Sequence, residues 1–151
     1  MNKDDDRAQF RVIFWPAGLS FLAASMLGYA CAPWGGKLIL AIANIFLLAG
    51  MANITLLFIY WTRSLTYTNR LVIGVLFIAS SVAYVYLQHF GNTQDRIHLM
   101  NGVLSIFCIW QIVVLAQLLQ KDNAYQIKLL IAVELLQLGA RICRSLLAFG
   151  E

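Results

Sequence analysis

Five runs of 20 to 24 mostly apolar residues, joined by links of five to nine residues, dominate this chain. They fall at 10–32, 38–61, 71–90, 97–119 and 127–149. A helix needs about 20 apolar residues to cross a hydrocarbon core roughly 30 Å thick. Lipid offers no partner to an unpaired backbone group, so only helices or closed barrels span it. The period-2 alternation of a barrel strand is absent, which leaves helices. Short links make consecutive helices antiparallel neighbours. The expected fold is therefore all-α and polytopic. Five antiparallel transmembrane helices make one domain over 10–151, behind a short tail at 1–9.

Composition agrees. The chain is 61% hydrophobic and 12% charged, against about 45–50% and 25% for a soluble domain. This excludes a secreted enzyme, a disordered tail and a nucleic-acid module, and makes the lipid bilayer the first partner. No stretch outside the spans is long enough for a catalytic domain, and GxSxG, HExxH, P-loop and GxGxxG patterns are all absent. Enzymatic activity is not expected. Cys31, Cys108 and Cys143 lie in or at the ends of apolar runs with no CxxC spacing, so they read as packing residues. His89 and His98 flank one link with Asp95 as the nearby carboxylate, too few ligands for a metal or haem. No cofactor is expected. The first run is longer than the 7–15-residue core of a signal peptide, which predicts a retained helix.

Orientation follows from basic residues. With the N-terminus inside, one side carries Lys3, Arg7, Arg11, Arg63, Arg70, Lys121 and Lys128, and the other Lys37 and Arg96. That bias predicts a cytoplasmic N-terminus. Five spans then put Glu151 outside. Trp15, Trp34, Tyr60, Trp61 and Tyr67 lie near the proposed boundaries, where aromatic belts form.

The fifth run is the most polar. Glu134, Gln137, Arg141 and Arg144 follow i, i+3, i+7, i+10, within about 80° of one helical face at about 100° per residue. Charges inside a membrane face protein or water rather than lipid. Asn44, Asn53 and Thr55, then Ser80, Ser81 and Tyr84, then Asn101, Ser105, Gln111 and Gln117 are available partners on other helices. Two readings stay open. Helix five lines a cavity for an anionic or polar ligand, with Arg141 and Arg144 as anchors. Alternatively Glu134 neutralises an arginine, amides tie helices together, and Arg144 reaches the outer interface. Asn44, Arg96, Asn101, Glu134, Arg141 and Arg144 are the candidate ligand-binding or polar-core residues.

A set of short motifs carries a resemblance. Asn44-Ile-Phe-Leu-Leu-Ala-Gly50 is followed by Tyr60-Trp61-Thr62-Arg63, then Tyr84-Val-Tyr86, a link holding Asn92 and Arg96, and Arg144-Ser-Leu-Leu. Over roughly residues 33–149 the chain resembles the multi-span sensor region at the N-terminus of bacterial GGDEF diguanylate cyclase signalling proteins. Asn44, Arg96 and Arg144 match that family's recurrent positions. The chain departs at Asn101, where a Ser is usual, and at Cys143, where a Leu is usual. The family also carries one more helix before its cyclase domain, so the resemblance implies a sensor half or a standalone relative.

The expected function is an integral-membrane sensory or anchoring module. It would detect a signal of unknown chemistry and pass it to an attached or partner output domain, alone or as a homodimer. The alternatives are a small channel or transporter-like protein, marked by a water path along Glu134, Gln137 and Arg141, and a structural subunit of a membrane complex.

Overall fold

The computed structural model describes residues 3–62, 66–121 and 124–149 and is all-α. Four helices follow in order: α1 (Lys3–Thr62), α2 (Tyr67–Phe90), α3 (Thr93–Lys121) and α4 (Tyr125–Phe149). Arg63 and Glu151, both used in the orientation argument, lie outside the described residues.

Helix α1 is two helices. Its continuity breaks at Gly36, at φ 62° and ψ −150°, a region open essentially to glycine alone. Drawn straight, 60 residues would reach about 90 Å and set Gly18 about 54 Å from Ile54. Instead a Cβ built on Gly18 would lie 3.0 Å from the Ile54 side chain. The limbs 3–35 and 37–62 therefore fold back on one another as a hairpin. Small residues allow the close approach: a Cβ on Gly28 would meet the Ala43 Cβ at 2.8 Å, and one on Gly50 the Gly18 carbonyl at 3.2 Å. Between these points Ser25 is fully buried and Phe21 packs on Phe46 at 5.8 Å between ring centroids. The link expected over Pro33 to Gly36 is thus one residue long, and helix continues through Pro33. Neighbouring helices and local adjustment make such a proline tolerable.

No atom lies within 4 Å of a Cβ built on Gly36, so a side chain there meets strain and not a clash. Gly36→Ala is expected to lower stability by about 1–3 kcal/mol, read as an earlier thermal loss of helicity in nanodiscs.

The remaining helices start where a side chain satisfies a free backbone donor. Thr66 Oγ1 accepts from the Asn69 amide at 3.3 Å, opening α2, and Asn92 Oδ1 accepts from the Asp95 amide at 2.8 Å, opening α3. Both helices begin about four residues earlier than the apolar pattern predicts, because these polar first turns carry no apolar signal.

Helix α3 is the centre, packing against α1, α2 and α4. Its buried residues Met100, Val103, Leu104, Phe107, Cys108, Gln111, Val114 and Leu115 recur at the three- and four-residue spacing of an inward face. Helix α2 contributes a narrower stripe of Ile73, Ser80, Tyr84 and Gln88. At one end of the bundle Lys121 Nζ donates to the Thr62 carbonyl at 3.1 Å; at the other Gln88 Nε2 donates to the Lys37 carbonyl at 3.1 Å.

Outside this core the surface is apolar along the middle of the helices, with Leu27, Val75, Ile78, Val82, Ile109 and Val113 all exposed. Exposed aromatics collect at the ends: Trp34 and Phe90 at one, Trp61, Tyr67 and Tyr125 at the other. From Tyr67 to Phe90 is about 34 Å of helix, which matches a hydrocarbon core of about 30 Å. Among the described residues Trp15–Thr62, Tyr67–Phe90 and Thr93–Lys121 are long and apolar enough to cross a membrane. The first of these is 48 residues long and is folded at Gly36. Helix α4 exists where the fifth span is expected, but Lys128, Glu134, Arg141 and Arg144 keep it out of that apolar class.

Candidate functional site

Polar side chains from every helix converge near the end of the bundle that holds Gly36 and the 91–92 turn. Asn44, on the second limb of α1, is the hub. Its Oδ1 accepts from the Tyr29 hydroxyl at 2.6 Å, and its Nδ2 donates to the Leu40 carbonyl and to the Tyr84 hydroxyl, each at 2.8 Å. One amide therefore ties both limbs of α1 to α2. Because the Tyr84 oxygen accepts there, its own hydrogen is left for another acceptor.

Beside this hub lies a cavity of about 150 Å³. Tyr29, Leu40, Asn44 and Leu47 of α1 and Tyr84 of α2 form one side; Thr93, Arg96, Ile97, Met100, Asn101 and Leu104 of α3 form another, and Arg144 of α4 completes it. Four of the six residues singled out from sequence, Asn44, Arg96, Asn101 and Arg144, thus line one space. No acidic side chain is among the described residues that line it.

The two arginines differ in commitment. Arg96 donates to the Asn92 carbonyl at 3.3 Å, to Thr93 Oγ1 at 2.8 Å and to Gln88 Oε1. Gln88 in turn holds the backbone at Lys37, so Arg96 is a strut joining the α2–α3 turn to the α1 hairpin. Arg144 has no hydrogen-bond partner among the described residues, and its side chain is exposed.

The other two candidates meet elsewhere, between α3 and α4. Arg141 donates to Cys108 Sγ at 3.2 Å and to Gln137 Oε1 at 3.1 Å. Glu134 is buried, with the Cys108 thiol within hydrogen-bonding reach, while its Oε2 has no hydrogen-bond partner. Of the face predicted for Glu134, Gln137, Arg141 and Arg144, Glu134 is buried in the helix interface, Gln137 and Arg141 are half-buried, and Arg144 is exposed beside the cavity. A second, more open cavity of about 260 Å³ borders Arg141, with His98, Asn101 and Ser105 on its α3 side. Ser105 Oγ itself donates back to the Asn101 carbonyl at 2.6 Å.

Further toward the opposite end, Gln111 is fully buried and donates to Thr55 Oγ1 at 2.8 Å and to the Met51 carbonyl at 3.3 Å. This amide tie between α1 and α3 is of the kind that joins membrane helices at about 0.6 kcal/mol per bond. Among the described residues no three His, Cys, Asp or Glu side chains gather as a metal would require. His89 is exposed, with Nδ1 3.0 Å from the Val85 carbonyl.

Tyr29 and the glycines 18, 28 and 50 escape sequence reading. Tyr29 sits in a largely apolar run, and its partner Asn44 is fifteen residues away across the hairpin. The chain matches no family model, and no curated protein or solved structure matches it either.

Proposed function

We propose that this chain is a membrane-embedded sensory or anchoring module without catalytic activity of its own. On this reading it crosses the bacterial inner membrane five times, with its N-terminus in the cytoplasm. It passes a signal to an attached or partner output domain. The cavity shared by all four helices is the observation that supports the reading: Asn44, Tyr84, Arg96, Asn101 and Arg144 come from elements that otherwise meet mainly through apolar contacts. A molecule seated there touches every helix. It shifts their packing to the extent that it binds one arrangement better than another. The resemblance of Asn44, Arg96 and Arg144 to the sensor regions of GGDEF proteins supports an output of the cyclic-di-GMP type.

The test is thermal unfolding of the full chain in nanodiscs against a panel of small anions, cations and neutral compounds. Ile97→Trp, a half-buried lining position, fills the cavity and serves as the comparison. A ligand at about a hundred times its Kd is expected to raise the wild-type midpoint by roughly 5 °C or more and to leave Ile97→Trp unmoved. Equal response of both proteins to every compound refutes the reading.

A further inference from the structure

We infer that the occupant of the four-helix cavity is a short monocarboxylate: one carboxylate on an apolar body of about six carbons. The inference rests on the receptor reading above and gives it a ligand class. Three observations carry it. The first is the sign of the polar wall. The polar groups that line it are the Tyr29, Tyr84 and Thr93 hydroxyls, the Asn44 and Asn101 amides and two guanidinium groups, with no acidic side chain among the described lining residues. The formal charges among these groups are both positive, so the wall repels cations and favours a ligand that accepts hydrogen bonds and carries negative charge.

The second is the number of guanidinium forks not already held by neighbouring groups. Arg96 already makes three hydrogen bonds that brace the turn and hairpin. Arg144 makes none with the described residues, and its side chain is exposed at the cavity wall. One uncommitted fork matches one carboxylate, which a guanidinium grips through two parallel N–H···O bonds. The third is size and lining. The remaining wall is Leu40, Leu47, Met100 and Leu104 among others. A cavity of about 150 Å³ accommodates a body the size of benzene. The apolar part therefore enters between the helices while the carboxylate stays at Arg144.

Hexanoate is the probe, titrated into the full chain in phosphatidylcholine nanodiscs at neutral pH, with hexanol and inorganic phosphate as comparisons. Hexanoate is expected to saturate at least tenfold more tightly than hexanol, with phosphate weaker than either. Arg144→Gln should weaken hexanoate at least tenfold, Arg144→Lys less, and Ile97→Trp should abolish binding. Arg144 is exposed, so its variants keep the fold; helicity and elution volume check this. Repeating the titration in phosphatidylglycerol nanodiscs separates the two sources of an anionic group. An unchanged affinity supports a free carboxylate, and loss of hexanoate binding there assigns the site to a lipid phosphate instead. Hexanol binding as tightly as hexanoate, or Arg144→Gln titrating like the wild type, overturns the inference. A cation or neutral compound that stabilises the wild type but not Ile97→Trp overturns the carboxylate and leaves the receptor reading standing.

Discussion

Gly28→Leu is expected to open the α1 hairpin and to lower the stability of the chain by about 3 kcal/mol or more. The first added atom already fails to fit. A Cβ on Gly28 stands 2.8 Å from the Ala43 Cβ and 3.3 Å from its Cα, and the latter is backbone that no rotamer can move. Three further carbons require the limbs to separate. Separation also strains the Tyr29–Asn44 bond, one residue along on each limb. Gly74→Leu is the control, because a Cβ there meets nothing within 4 Å. Its midpoint of thermal unfolding in nanodiscs should stay within about 0.5 kcal/mol of wild type. Comparable loss in both variants would mean that the hairpin contact is not what holds the limbs together.

Glu134→Lys is the second large effect. Glu134 occupies the centre of the α4 packing face, one heptad after the buried Ile127, where an apolar residue would ordinarily sit. Lysine there puts a second cation near Arg141 in place of a buried carboxylate, and a buried unpaired charge costs roughly 3–5 kcal/mol. The variant should fail to give a monodisperse, fully helical preparation. Glu134→Gln keeps the shape and replaces an oxygen that has no hydrogen-bond partner, so its stability should fall within about 1 kcal/mol of wild type. The pair also decides between the two sequence readings of this face. If Gln proves as damaging as Lys, the carboxylate neutralises Arg141 through space even though Arg141's hydrogen bonds go to Gln137 and Cys108.

The helices were the legible part of the fold. In a chain this apolar, run length alone marks them, since lipid leaves a backbone no other way to satisfy its donors and acceptors. Ends were less so: the first turns of α2 and α3 are polar and capped by Thr66 and Asn92, so hydropathy misses them. Pro33 suggested a link, but proline ends a helix only where the backbone group it frees goes unanswered, and the break fell three residues later at Gly36.

The polar residues of the cavity were visible one by one, as costly groups in apolar runs. Their convergence was not, because spacing orders residues within a helix and says nothing about which helices touch. Asn44 and Arg144 stand 100 positions apart, yet line one space. The part played by Gly28 is hidden for the same reason. Its complement is not another small residue on its own limb but Ala43 on the facing one.

Gly36 has one more consequence, which concerns parity. Each crossing exchanges one side of a membrane for the other, so every link downstream of a reversal inherits the sidedness that reversal sets. On the five-span reading, Gly36 at φ 62° decides which compartment faces the 91–92 turn, and with it the side to which the cavity beside Arg96 and Arg144 lies nearer. A chain that ran straight through Gly36 would keep its sequence and its helices. It would present the same guanidinium groups to the opposite compartment, and so to a different pool of solutes.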